Sequence, residues 1–302
     1  MLSFILAVLF TISLYLLMRA FPQYGINPFQ AVVFNYYACL ATGLVLMPDR
    51  SVFGTVDWAA TPTLTTLALG TMFVIVFLLI GQTATKSGVT TATLSSDLSL
   101  VIPVVFGLFV FKNTNKDFTF LNYLGIVLAV VAVAMSAIKK SNRQSEGQKI
   151  NSAAWFFPVL LFLASGANNT LINYLSSQFY APDQMTLFMI IACIGAIVVG
   201  TSLLVYRVLT INETITLKNV LGGLLLGIPN FLSLYFLLKA LAAFGNSAAF
   251  VFPIYNVMTI IASSFAAWLL FKEKLEFINK IGLLLAILAI LLLSYQEILS
   301  SF

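Results

Sequence analysis

Long apolar runs broken by short polar stretches dominate this chain. Ten such runs lie at 2–20, 29–47, 64–85, 89–111, 119–138, 153–175, 184–206, 219–243, 247–271 and 276–296. Each is about 20 residues, the length that crosses a hydrocarbon core of roughly 30 Å. Apolar residues fill the runs continuously, without the strict alternation of a barrel strand. In lipid, every backbone N–H and C=O must find a partner inside its own segment or a closed barrel. The pattern therefore predicts an all-α polytopic membrane protein of ten transmembrane helices. The first run carries no positive charge at Met1, Leu2 or Ser3. It ends in Met18-Arg19-Ala20-Phe21-Pro22 with no small-x-small cleavage site. It is expected to stay as the first helix rather than leave as a signal peptide.

The runs repeat. The fifth begins Phe120-Leu121-Asn122-Tyr123-Leu124-Gly125 and the tenth Phe277-Ile278-Asn279-Lys280-Ile281-Gly282, an offset of 157 (277 − 120). The same offset pairs Ala129 with Ala286, Ala132 with Ala289, Gly70 with Gly227 and Gly88 with Gly245. Runs four and nine both end in Phe-Lys, at Phe111-Lys112 and Phe271-Lys272. Two five-helix repeats are expected, over 1–138 and 152–302, joined by a flexible polar tether at 139–151. Five is odd, so the second repeat is inverted relative to the first. Inverted repeats around a central cavity are the plan of many secondary transporters.

The stretch from Gly222 to Ser294 resembles the second domain of an EamA-type transporter of the drug/metabolite transporter superfamily. The resemblance rests on Gly227-Ile228-Pro229-Asn230, on Lys239-Ala240-Leu241, and on Phe271-Lys272-Glu273-Lys274-Leu275 before a glycine-containing last helix. It extends more weakly through the first half. It implies a ten-helix basket whose cavity is lined mainly by helices 1, 3, 4, 6, 8 and 9. It also implies transport of small metabolites and no bound cofactor. One departure stands out: the acid after Phe-Lys is Glu273 in the second half, where the first half has Asn113.

Composition agrees with a membrane protein. Of 302 residues, 61% are hydrophobic and 8% charged, and none is histidine. With no histidine and no cysteine cluster, no metal site is readable. Cys39 and Cys193 lie inside apolar runs and read as small buried groups. The net charge of +5 comes from Lys and Arg mostly at helix ends, where they meet headgroups rather than nucleic acid. Orientation is contested. The resemblance implies cytoplasmic termini, whereas eleven of the Lys and Arg residues fall on the side opposite the termini and four on the same side, which favours termini outside.

Asp97 carries the sharpest functional signal. It lies about 12 Å along the fourth helix at 1.5 Å per residue, and a carboxylate deep in a bilayer is costly enough to imply a role. Ser95, Ser96 and Ser99 surround it in sequence, and Pro103 removes a backbone hydrogen bond shortly after. Two readings compete: a proton-coupling or amine-binding group, or a structural carboxylate held by hydroxyls or a lysine. Lys239 is either a second cavity residue within reach of Asp97 or an interfacial anchor; the offset pairs it with Gln82. Asn169 and Asn173 lie one turn apart on helix 6 beside Asn168 and Tyr174. Asn230 and Tyr235 follow Pro229 on helix 8, and Tyr255 and Asn256 follow Pro253 on helix 9. Tyr15 is the candidate on helix 1.

The sequence thus predicts a multi-pass inner-membrane secondary transporter for a small organic metabolite, amino acid efflux or exchange among the options. Its expected partners are the solute, a coupling proton and the lipid bilayer. The rival is an intramembrane enzyme on a lipid-linked substrate, but one deep carboxylate offers no paired acid and base. Absence of a Gly-x-x-x-x-Gly-Lys-Ser/Thr run leaves ATP-driven pumping unsupported.

Overall fold

A computed structural model describes residues 2–47, 50–103, 119–137, 153–243 and 248–300. The described residues form helices and connecting turns, without strands. The principal helices are α1 (Leu2–Ala20), α2 (Pro28–Leu46), α3 (Thr61–Lys86), α4 (Val89–Leu98), α5 (Phe120–Ala137), α6 (Ala153–Phe179), α7 (Met185–Ile211), α8 (Leu217–Ala243), α9 (Ala248–Phe271) and α10 (Phe277–Leu293). A short α11 (Tyr295–Ser300) follows. Each principal helix begins at or within a few residues of an apolar run. Seven of the described helices are long and apolar enough to cross a membrane. The helices α5 and α10 are apolar but shorter, and the described helix of α4 covers only 10 residues of the run expected to reach position 111. The expectation of ten full spans is therefore met in part. The tether at 139–151, Lys112, Asn113 and Gly245 lie outside the described residues.

Local chemistry sets the helix starts. Asn27 caps α2: its Oδ1 accepts the N–H groups of Phe29 and Gln30, and Pro28 supplies the pre-set first-turn φ. The same cap is wired across the chain. Asn27 Nδ2 and Gln30 Nε2 both donate to Glu213 Oε1, at 2.8 and 2.9 Å. Asn219 Nδ2 donates to Gln30 Oε1 at 2.7 Å, and Arg207 pairs with Glu213 at 2.7 Å. This network ties the start of α2 to the turn between α7 and α8.

Packing follows small residues. The largest contacts are α5 on α10, α2 on α8, α3 on α7, and α1 on α8; α6 packs on α3 and α4, and α1 also touches α9. At Gly70 a Cβ would fall 2.2 Å from Ala196 N, and at Gly227 2.2 Å from Asn35 O. Both glycines therefore let two backbones meet, α3 on α7 and α8 on α2. Ala129, Ala132, Ala286 and Ala289 are fully buried together between α5 and α10. Outward faces are apolar: Phe265, Trp268 and Leu269 share one exposed face of α9, a stripe at odds with water and suited to lipid. Cys39 and Cys193 are free and buried, as expected, and the Cys39 thiol donates to the Gly227 carbonyl.

Candidate functional site

The site grows from the break in α4. Pro103 has no N–H to give the carbonyl of Ser99, four residues back. That carbonyl instead accepts the Ile102 N–H at 2.9 Å. Upstream, the Ser99 N–H reaches the Ser96 carbonyl at 3.3 Å, and the Ser99 hydroxyl donates to the same carbonyl at 2.5 Å. Three-residue bonds replace the four-residue ladder at Asp97.

Asp97 is half-buried, and its Oδ2 is buried without a hydrogen-bond partner. From α1, buried Tyr15 lies beside Ser96 and within electrostatic reach of Asp97. From α9, buried Tyr255 lies within the same reach, and its hydroxyl is hydrogen-bonded to Thr11 of α1. The ring of Phe4 meets Tyr255 edge-on, 6.4 Å between centroids. From α6, Asn169 Nδ2 donates to Ser99 Oγ at 3.2 Å. A Cβ at Gly166 would fall 2.2 Å from Ile102, so α6 seats directly against the broken turn. Further buried polar atoms lack partners on these helices: Ser95 Oγ, Ser165 Oγ, Asn168 Oδ1 and Asn256 Nδ2. Such atoms are costly away from water unless a bound group satisfies them.

The other end of α4 is held by charge. Glu273 Oε2 accepts the Val89 N–H at 3.0 Å, an anion at a helix N-terminus. Gly88, at φ 106°, brings the chain against that carboxylate. Arg19 donates to the Thr85 carbonyl at 2.7 Å and lies over the Phe271 ring.

Of the residues singled out in the sequence, Asp97, Ser96, Tyr15 and Tyr255 come together, and Asn169 joins them through Ser99. Asn256 is buried next to Tyr255 in the chain. Asn230 instead donates to Asn35 at 3.1 Å, a bond between α8 and α2. Asn173 and Gln82 are exposed. Lys239 is also exposed, with its ammonium 4.5 Å from the Tyr235 ring centre; no ion pair joins it to Asp97 among the described residues. Two contributors were not assigned to the site from the sequence. Thr11 lacked any signal beyond a hydroxyl in an apolar run. Glu273 was marked by its motif, but its partner in α4 could be seen only in three dimensions.

These features define an all-helical membrane protein with a polar centre built on an interrupted helix. No family model matches the chain. An uncharacterized protein of Haemophilus influenzae is 26% identical over 303 residues, covering 98% of each chain. A solved crystal structure matches 98% of this chain and 96% of its own with a TM-score of 0.55 and 12% identity, a likeness of fold alone.

Proposed function

We propose that this protein is a secondary transporter of the EamA type, moving a small organic metabolite across the inner membrane by alternating access. The observation that carries the reading is the buried, unpartnered Oδ2 of Asp97 at the break of α4, between Tyr15 and Tyr255. Non-helical backbone deep in a membrane helix is tolerated where it borders a cavity or protein, and transporters place solute sites at such breaks.

The two-repeat plan supports the same reading. Exchanging each helix with the one five places on maps α1 on α8 to α6 on α3, α1 on α9 to α6 on α4, and α2 on α8 to α7 on α3. Pairs α5–α10, α4–α9 and α2–α7 map onto themselves. Gly70 and Gly227, matched by the offset, make matched close approaches. Two near-equivalent halves can trade conformations, which is what alternating access requires. The ligand must then bind the two states with different affinity if it is to bias them.

The test has two stages. A metabolite library is screened by thermal unfolding of the detergent-purified protein, where a ligand at about 100 times its Kd adds roughly 2.7 kcal/mol. The best hit, labelled, is then assayed in proteoliposomes. Counterflow that saturates is the expected result. Product formation would mark an enzyme, and flux that follows voltage without saturating would mark a channel.

A further inference from the structure

We propose that the Asp97 site takes solutes carrying a protonated amine, and that a proton occupies the carboxylate when the solute leaves. The proposal rests on the transporter reading and names its substrate class.

The helices packed against α4 are α1, α3, α5, α6, α9 and α10. Of these, α5, α6 and α9 carry no charged residue. Helix α1 has Arg19, α3 has Lys86 and α10 has Lys280. Arg19 is engaged with the Thr85 carbonyl and the Phe271 ring. Lys86 is exposed and lies 3.8 Å from the centre of the Phe157 ring. Lys280 is exposed in the first turn of α10, soon after Glu273. Arg19, on the Thr85 carbonyl, and Lys86, three residues before Val89, lie by the end of α4 that Glu273 caps, about 12 Å along the helix from Asp97. Among the described residues, the titratable groups within electrostatic reach of Asp97 are the phenols Tyr15 and Tyr255.

A carboxylate oxygen buried without a partner beside two phenols, with no cation supplied by the described residues of those helices, is best met by a cation from outside. A protonated amine meets the need in three ways. It neutralises the carboxylate, it donates to Asp97 Oδ2, and its charge is welcome against the rings of Tyr15 and Tyr255. A net-negative solute would add a second negative charge to the first and is excluded. The exchange balances. The carboxylic acid of Asp97 and an alkylammonium ion give a carboxylate–ammonium pair, and the acid proton leaves to solvent.

The test uses the full chain in detergent with 2-phenylethylamine, and with 2-phenylethanol and phenylacetate as neutral and anionic counterparts; n-alkylamines extend the amine set. Binding is followed by calorimetry and by proton release into weakly buffered solution. Expected are amine binding with about one proton released per site, and an affinity that falls toward tenfold for each unit the pH is lowered through the range where the proton competes. Phenylacetate is expected not to bind. Asp97→Asn, which keeps the shape, should abolish both binding and release while retaining a cooperative unfolding transition; Asp97→Glu should restore release. The proposal is overturned if no amine binds, if an amine binds without proton release, if phenylacetate binds as tightly, or if Asp97→Asn binds unchanged. Failure of the transporter reading looks different. Saturable counterflow of neutral solutes without proton release sinks the amine assignment and leaves a carrier. Amine binding with proton release but no counterflow leaves the site and removes the carrier.

Discussion

Glu273 and Val89 meet at 3.0 Å, the carboxylate of one accepting the backbone N–H of the other. The contact joins the end of α9 to the start of α4, the helix that carries Asp97 two turns further on. The polar centre is thus tied to the bundle edge by a single helix of 10 residues, held at one end by a capping acid and loosened at the other by Pro103. Glu273→Ala removes the cap and is expected to cost about 0.5–2 kcal/mol, with Glu273→Gln losing less. Chemical unfolding in detergent micelles measures both; equal stability to the parent would show the contact is incidental.

Gly88→Ala attacks the same joint from the other partner. The new Cβ would fall 2.4 Å from Glu273 Oε1, at a φ of 106° that L side chains rarely adopt. A loss of about 1–3 kcal/mol is expected from the backbone conformation alone. Thermal melting should show it, and Gly54→Ala serves as the reference, because a Cβ there meets nothing within 4 Å.

Gly70 and Gly227 are expected to behave alike. An alanine at either position places Cβ 2.2 Å from backbone atoms of the facing helix, and backbone cannot swing aside as a side chain can. Overpacking of this kind costs about 1–3 kcal/mol. If only one of the two substitutions lowers the melting temperature, the matched approaches are not equivalent and the two-repeat reading loses support.

Asp97→Asn should separate function from folding. The substitution keeps volume and exchanges a carboxylic acid for a neutral amide of the same shape, so stability is expected to hold within about 1 kcal/mol, while counterflow is lost or uncoupled from the proton. Normal, normally coupled transport in this variant would remove Asp97 from the mechanism.

Lys239→Ala tests the second candidate. Its exposed ammonium over Tyr235 is worth about 0.5–1 kcal/mol at most, so little change in stability is expected. A lower solute affinity is the expected outcome if Lys239 borders the pathway; unchanged affinity in calorimetry assigns it to the interface.

The apolar runs determined the helices. Lipid leaves the backbone no partner outside its own segment, so run length alone placed α1, α2, α3, α5 and α6 through α10 nearly at their ends. The offset of 157 (277 − 120) also pairs, in sequence alone, the alanines that fill the α5–α10 interface and the glycines at two close approaches. Asp97 was legible because a carboxylate in an apolar run is expensive wherever the run goes. What faces it was not. A hydroxyl or amide in a helix looks the same in sequence whether it meets its own backbone, a neighbouring helix or a cavity. Only packing separated Asn169, bonded to Ser99 beside the break, from Asn230, spent on Asn35, and brought Thr11, Tyr15 and Tyr255 to one place. Hydrophobicity is a local property that one strand of text carries; which side chains share a site depends on helix rotation and crossing, and those are set by partners far away in the chain.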